Sequence, residues 1–296
     1  MNNSSHIPGA TPPKASAPRR SNWVLITTAL VGGIVLIGAV GAAALSGLTA
    51  LTKPSNESPQ LLTADASDMT NIRVDASAAD VSVTCDRDGE HAEELAVLTA
   101  SEGPQRWHLR MERETLRVGT ERGHFGWLGG INLFGWGAWQ PQTVSISLPE
   151  HACEGGTVSA DFDLSSGRLL AKGEFDALRL DVSAGDAMVA GAARTVEADV
   201  SAGGAELLLA DVEEAKLQVS AGGLTGAFTG DAPRQLRIDV SAGEIDLELP
   251  DVPYLVSSDV SAGSFDNFLR TGGSTADDHR VDVDVSAGGV TLRPGG

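Results

Sequence analysis

The sequence predicts an all-β fold, a parallel β-solenoid (β-helix) of about seven coils of 18–25 residues, preceded by one N-terminal transmembrane helix. Three observations lead to this prediction. A five-residue motif recurs through the second half of the chain, and apolar and polar residues alternate around each copy. Near the N-terminus, the 29 residues Trp23–Leu51 contain no charged side chain.

The motif divides residues 158–296 into short repeating units. DVSAG begins at five positions, and the near-copies DLSSG and QVSAG begin at 163 and 218. Successive units are separated by 18, 18, 19, 21, 20 and 25 residues. A period near 20 residues with strand-like composition is typical of stacked coils that cannot bury a core alone.

Alternation within a unit predicts which side chains face the core. In Leu178–Gly185 the even-numbered residues are Leu, Leu, Val and Ala, whereas Arg, Asp and Ser alternate with them. Successive side chains of a strand point to opposite faces. We therefore expect valine and alanine to point inward, serine and aspartate to point outward, and glycine to turn the corner.

Stacking of the coils would align the motif aspartates in a ladder. Like charges about 5 Å apart repel each other, and Gln218 interrupts the series. Two interpretations remain open, a structural ladder relieved by serine hydrogen bonds and solvent, or weak cation binding. The ladder comprises Asp163, Asp181, Asp199, Asp239, Asp259 and Asp284.

The N-terminal region predicts a membrane anchor. Residues 22–52 are long enough to cross a bilayer as a signal-anchor helix, and residues 23–51 would contact the lipid. Lys14, Arg19 and Arg20 precede the apolar stretch, so residues 1–21 form a disordered cytoplasmic tail and the C-terminal domain is extracytoplasmic. Residues 53–60 form a linker. A cleaved signal peptide and a buried core helix are the alternatives.

Residues 61–157 predict strands that cap the N-terminal end of the solenoid. The runs 95–100, 106–111, 115–120 and 143–149 have strand-like alternation, and residues 75–83 resemble an early coil. The tryptophan- and glycine-rich loop 123–140 either closes the core or forms an exposed interaction loop for membrane, partner or glycan. Its large aromatic residues are Phe125, Trp127, Phe134, Trp136 and Trp139.

The only two cysteines, Cys85 and Cys153, both follow the apolar stretch. An even cysteine count outside the cytoplasm predicts a disulfide, with two buried free thiols as the alternative.

Charge and motifs exclude several classes of function. The net charge is −19, and residues 1–53 hold four basic and no acidic residues, so the remainder carries −23. Such a domain repels nucleic acid. The sequence has no HExxH, GxSxG or phosphate-binding loop, and predicts no catalytic residue, metal site or cofactor. A polysaccharide-cleaving β-helix is the strongest enzymatic alternative.

Repeated DVSAG and QVSAGG units behind one N-terminal apolar stretch resemble the bacterial putative-adhesin β-strand-repeat family, which has no assigned function and is related to auto-transporter adhesin head domains. The resemblance covers residues 60–296 and implies a right-handed β-solenoid at the cell surface. The predicted function is non-enzymatic surface binding, adhesion or envelope scaffolding, with an unknown envelope protein or glycan as partner. Envelope-stress sensing or regulation through a membrane partner is the alternative.

Overall fold

A computed structural model describes residues 59–85, 94–103, 105–120, 141–272 and 278–295. All of them belong to one compact unit, Ser55–Gly296. The predicted transmembrane helix 22–52, the tail 1–21 and the aromatic loop 123–140 lie outside the described residues. Within the described part of the chain, no helix has the length and apolar character needed to cross a membrane.

The described residues are all-β apart from a single 3-10 turn at Glu150–Ala152. The predicted strands at 95–100 and 115–120 are present with those bounds, and the other two are each displaced by one residue. The strands are β1 Gln60–Asp65, β2 Asn71–Cys85, β3 Leu95–Ala100, β4 Trp107–Glu112, β5 Thr115–Thr120, β6 Gln142–Leu148, β7 Val158–Val182, β8 Asp186–Ala210, β9 Glu214–Thr229, β10 Gln235–Leu249, β11 Leu255–Val260, β12 Gly263–Asn267 and β13 Arg280–Pro294.

The repeated units lie side by side in parallel and in register. β7 pairs with β8, β8 with β9, and β9 with β10, each at a sequence offset of one repeat. Equivalent motif positions are therefore neighbours, so that Asp181 lies opposite Asp199 and Val200 lies opposite Val219. The motif thus marks equivalent points of adjacent strands.

The predicted right-handed parallel β-solenoid is wrong. The thirteen described strands form one mixed sheet in the order β1-β3-β6-β2-β7-β8-β9-β10-β13-β11, with β4, β5 and β12 branching from it. β1, β3 and β6 pair antiparallel, as do β4 and β5. A two-residue turn makes β4 and β5 an antiparallel hairpin, whereas β1 with β3 and β3 with β6 pair across intervening strands. The repeat period does not extend to these strands, so it could not predict their direction.

The last two units also exchange places in the sheet. β13 lies between β10 and β11, although β11 precedes it in the chain. At positions where β13 buries Val283 and Leu292, the β11–β12 unit carries Ser258 and Asn267. Polar residues at core-facing positions are costly inside a stack and are tolerated at its end. The unit with the polar residues accordingly forms the end of the sheet.

The core is continuous and consists of valine, leucine, isoleucine and alanine from both sides of each glycine corner. The motif valines Val182, Val200 and Val240 are buried, as predicted. The motif alanines are not, since Ala184 and Ala242 are exposed. The alternation breaks where the strand bends, so serine and alanine both point outward at the corner. Burial of the motif alanines was therefore predicted wrongly.

Candidate functional site

A groove with a volume of 710 Å³ crosses one face of the sheet. It is lined by residues of β5, β2, β7, β8, β9 and β10. The long strand β7 crosses the groove twice, at residues 159–161 and 177–179. Neighbouring strands are about 4.8 Å apart, so seven passes extend the groove over about 30 Å. Its outward side chains form two columns. The first column is Thr115, Asn71, Ser159, Ala177, Thr195, Glu214 and Gln235, and the second, here called the charged column, is Arg117, Arg73, Asp161, Arg179, Glu197, Lys216 and Arg237.

The charged column is a chain of ion pairs between neighbouring strands. Arg73 contacts Asp161 at 3.2 Å. Further along, Glu197 accepts hydrogen bonds from Arg179 at 2.8 Å and Lys216 at 3.2 Å. Arg179 also donates to Asp181 at 3.0 Å, and this carboxylate, with that of Glu197, raises the pKa of the guanidinium. These pairs are exposed by roughly two-fifths, so water weakens each of them.

The groove differs in charge from the rest of the chain. Five basic and three acidic residues line it, which gives a net charge of +2, whereas the whole chain carries −19. Arg237 lies between Lys216 on β9 and Asp282 on β13, and it forms no ion pair within 4.0 Å with any described residue. The groove is therefore a basic surface on a strongly acidic protein.

The predicted aspartate ladder lies two residues further along each strand. The register places Asp75 opposite Asp163, Asp181 opposite Asp199, and Asp284 between Asp239 and Asp259. Burial raises the pKa of Asp163, and the charges of Asp75 and Asp181 raise it further. The ladder thus places repelling carboxylates in line. Among the described residues no cluster of three or more histidine, cysteine or acidic side chains is arranged to hold a metal ion.

Replacing Asp163 with asparagine is expected to stabilise the fold at neutral pH. A raised folded-state pKa means that ionisation opposes folding above that pKa, and that this cost disappears as the pH falls through it toward the unfolded value. Removing a like charge opposite a neighbour should contribute about 0.2–1 kcal/mol. Denaturation at pH 7 and pH 3 measures the difference, which should shrink at the lower pH.

The control for this experiment is Asp266→Asn, because Asp266 is exposed on β12 and lies opposite Thr291 rather than another carboxylate. It should leave stability unchanged within about 0.5 kcal/mol. Equal stabilisation by both substitutions would show that only the net charge of the protein matters.

The two cysteines are joined in the structure. Cys85 ends β2, Cys153 follows the 3-10 turn, and they form a disulfide with a Cα–Cα distance of 6.0 Å. Cys153 is buried beside the start of the repeats, where its carbonyl accepts a hydrogen bond from the Glu174 amide at 3.0 Å. The predicted interaction residues Phe125, Trp127, Phe134, Trp136 and Trp139 lie outside the described residues.

Sequence reasoning missed the basic residues of the groove. They occur two positions before the first residue of the motif, at Arg179, Lys216 and Arg237, and alternate there with Asp161 and Glu197. This alternation in sign is visible once the units are aligned. A search for motifs within a single unit could not find it, because each charged partner comes from a different repeat.

These features define an all-β repeat protein with a basic groove across its sheet. No protein-family model matches the chain, and no curated protein matches it. Among solved structures, it is similar to a "putative cell adhesion protein" from Clostridium sporogenes, with 10% identity and a TM-score of 0.32 over 80% of this chain and 100% of the other.

Similar values relate it to "putative adhesin" structures from two Parabacteroides species. For P. distasonis the identity is 9% and the TM-score 0.40, over 79% of this chain and 97% of the other. For P. merdae the identity is 12% and the TM-score 0.34, over 81% and 97%. TM-scores below 0.5 do not establish a family for this chain.

Proposed function

We propose that the chain is a non-enzymatic, adhesin-like binding protein of the cell surface, held at the membrane through residues 23–51, whose groove contacts a ligand in the cell envelope. The observation that supports the proposal most directly is the groove itself, which runs over about 30 Å of parallel strands in register. Hydrogen bonding between these strands keeps the side chains of the groove in a fixed array, which favours binding by reducing the ordering cost.

The proposed location rests on two separate features. The uncharged stretch 23–51 follows basic residues, which favours export of everything after it. The Cys85–Cys153 disulfide is of a kind that persists in oxidising compartments and is rare in the cytosol. Both features favour an extracytoplasmic position for the groove.

Cell fractionation tests this location. The full-length chain should remain with membranes after alkaline carbonate washing and be released by detergent. Protease added to intact protoplasts or spheroplasts should remove the region after residue 53, and leave an epitope tag at the N-terminus intact. Recovery of the chain in the soluble cytosolic fraction would contradict the proposal.

Binding to isolated envelopes tests the role of the groove. The full-length chain in detergent should bind envelope fragments saturably and release no reducing sugar ends from them. Replacing Lys216 and Arg237 with glutamine should weaken this binding. A single crosslinked membrane protein accounting for all of the binding would instead favour a regulatory role, and steady release of reducing ends would favour an enzyme.

A further inference from the structure

We propose, on the basis of the proposed surface-binding function, that the ligand of the groove is a linear acidic polysaccharide whose carboxylates contact Arg179, Lys216 and Arg237. The charge distribution is the first observation. Residues 54–296 contain seventeen basic and forty acidic residues, yet five of the basic and only three of the acidic residues line the groove. A basic groove surrounded by acidic surface favours an anionic ligand at that one place.

The shape of the groove favours a polymer over a small molecule. Arg179, Lys216 and Arg237 lie on β7, β9 and β10, so they are spaced along the long axis of the groove. Arg179 and Lys216 are two strands apart, about 10 Å, and Arg237 is one strand further. One chain with repeating negative charges can contact all three, whereas a single sugar cannot.

The neighbouring side chains favour a sugar polymer. The first column has one charged residue, Glu214. Its uncharged hydrogen-bonding groups, which suit closely spaced hydroxyl groups, are at Asn71, Ser159, Thr195 and Gln235. None of the lining residues in the described part of the chain is aromatic. Single-stranded nucleic acids depend on stacking with aromatic rings, so the groove lacks a principal means of holding them. Charge and hydrogen bonds must provide the affinity, which favours an acidic over a neutral polysaccharide.

The basic groups are available to a ligand at small cost. Arg237 forms no salt bridge with any described residue, although Asp282 lies opposite it on β13, and Lys216 shares Glu197 with Arg179. Exposed ion pairs contribute about 0–1 kcal/mol, so a ligand carboxylate can replace Glu197 as a partner. The aspartate ladder lies about 7 Å further along the strands and repels an anionic chain, which sets one border of the site.

Binding of polygalacturonate to the full-length chain in detergent tests the proposal. This linear polymer has one carboxylate per sugar, and its fully methyl-esterified form has the same backbone without charge. The acidic polymer should bind saturably and at least about tenfold more tightly than the ester, and the affinity should fall as salt is added. The double substitution Lys216→Gln and Arg237→Gln should weaken its binding about tenfold or more.

The matched control is Arg270→Gln with Arg293→Gln, which removes the same charge from two exposed arginines outside the groove. Its affinity for polygalacturonate should stay within about twofold of the unaltered chain. Equal binding of the acid and the ester, equal weakening by both double substitutions, or full competition by single-stranded DNA would overturn the acidic-polysaccharide proposal. If groove-dependent binding to envelopes persists while polygalacturonate fails to bind, only the ligand class is wrong; if envelope binding is also absent, the proposed function is wrong too.

Discussion

Replacing Gly203 with alanine is expected to lower the free energy of unfolding by about 3 kcal/mol or more. Gly203 has φ = 116°, a conformation that residues with a β-carbon avoid. A β-carbon at this position would overlap the carbonyl oxygen of Gly185, in the bend between β7 and β8. The obstacle is backbone held by the sheet on both sides, so no flexible side chain can move aside. Thermal denaturation should show a decrease in Tm of about 6–12 °C.

Gly223→Ala is the matched control. Gly223 lies opposite Gly204, the residue that follows Gly203, and a β-carbon there would meet only the carbonyl oxygen of Glu244 at an ordinary distance of 3.9 Å. This substitution should change stability by no more than about 0.5 kcal/mol. A similar loss of stability in the two variants would contradict this explanation. It would mean that replacing any glycine of the corner with alanine is destabilising, whether or not the backbone of a neighbouring corner lies close to the β-carbon.

The glycine corners show how much of the fold could be predicted from the sequence. The recurrence of DVSAG identified the neighbouring strands correctly from β7 to β10, because equivalent motif positions such as Asp181 and Asp199 do pair. Burial of the motif valines from β7 to β10 followed from alternation, whereas Val260 on the end strand β11 is exposed. The alanine after each serine was predicted wrongly, because alternation assumes a straight strand and the strand bends between Val182 and Gly185.

The arrangement of whole strands was less predictable. Alternation determines which side chains of one strand face the core, but it does not determine which strand lies beside it. β13 lies between β10 and β11, and Ser258 and Asn267 of the β11–β12 unit stand at core-facing positions. These polar residues favour the end of the sheet for that unit, but this becomes clear only when the two possible orders of the last units are compared. The antiparallel pairing of β1 with β3 was likewise not predictable, because β2 lies between them in the chain and neither strand belongs to the repeats.

The candidate site was missed for a related reason. Its ion pairs join residues that are far apart in sequence: Arg179 and Glu197 are 18 positions apart, and Glu197 and Lys216 are 19 positions apart. Sequence motifs for catalysis or metal binding are short, so they do not detect a surface to which each repeat contributes one side chain. The period predicted from DVSAG contained the necessary information, but charges at the second position before the motif had to be compared across the units.

Loss of the Cys85–Cys153 disulfide is expected to destabilise the protein by about 4 kcal/mol. The bond joins cysteines 68 positions apart and encloses β3, β4, β5 and β6, which include antiparallel strands outside the repeats. Breaking it enlarges the conformational freedom of the unfolded chain, and it also releases the segment before β7 from the end of β2. Chemical denaturation with and without reductant should show the loss.

Hydrogen exchange then distinguishes local from global effects of the disulfide. After reduction, amides of β3 and β6 should exchange faster than those of β8 and β9, because β3 and β6 are short strands inside the loop that the disulfide closes, whereas β8 and β9 are longer and lie outside it. The double variant Cys85→Ala and Cys153→Ala should be as stable as the reduced protein, and reductant should not change its stability. This control distinguishes loss of the disulfide from other effects of the reductant. If that variant were as stable as the oxidised protein, the hydrogen bonds and core of the sheet alone would hold β3–β6 in place, and the disulfide would contribute nothing to the fold.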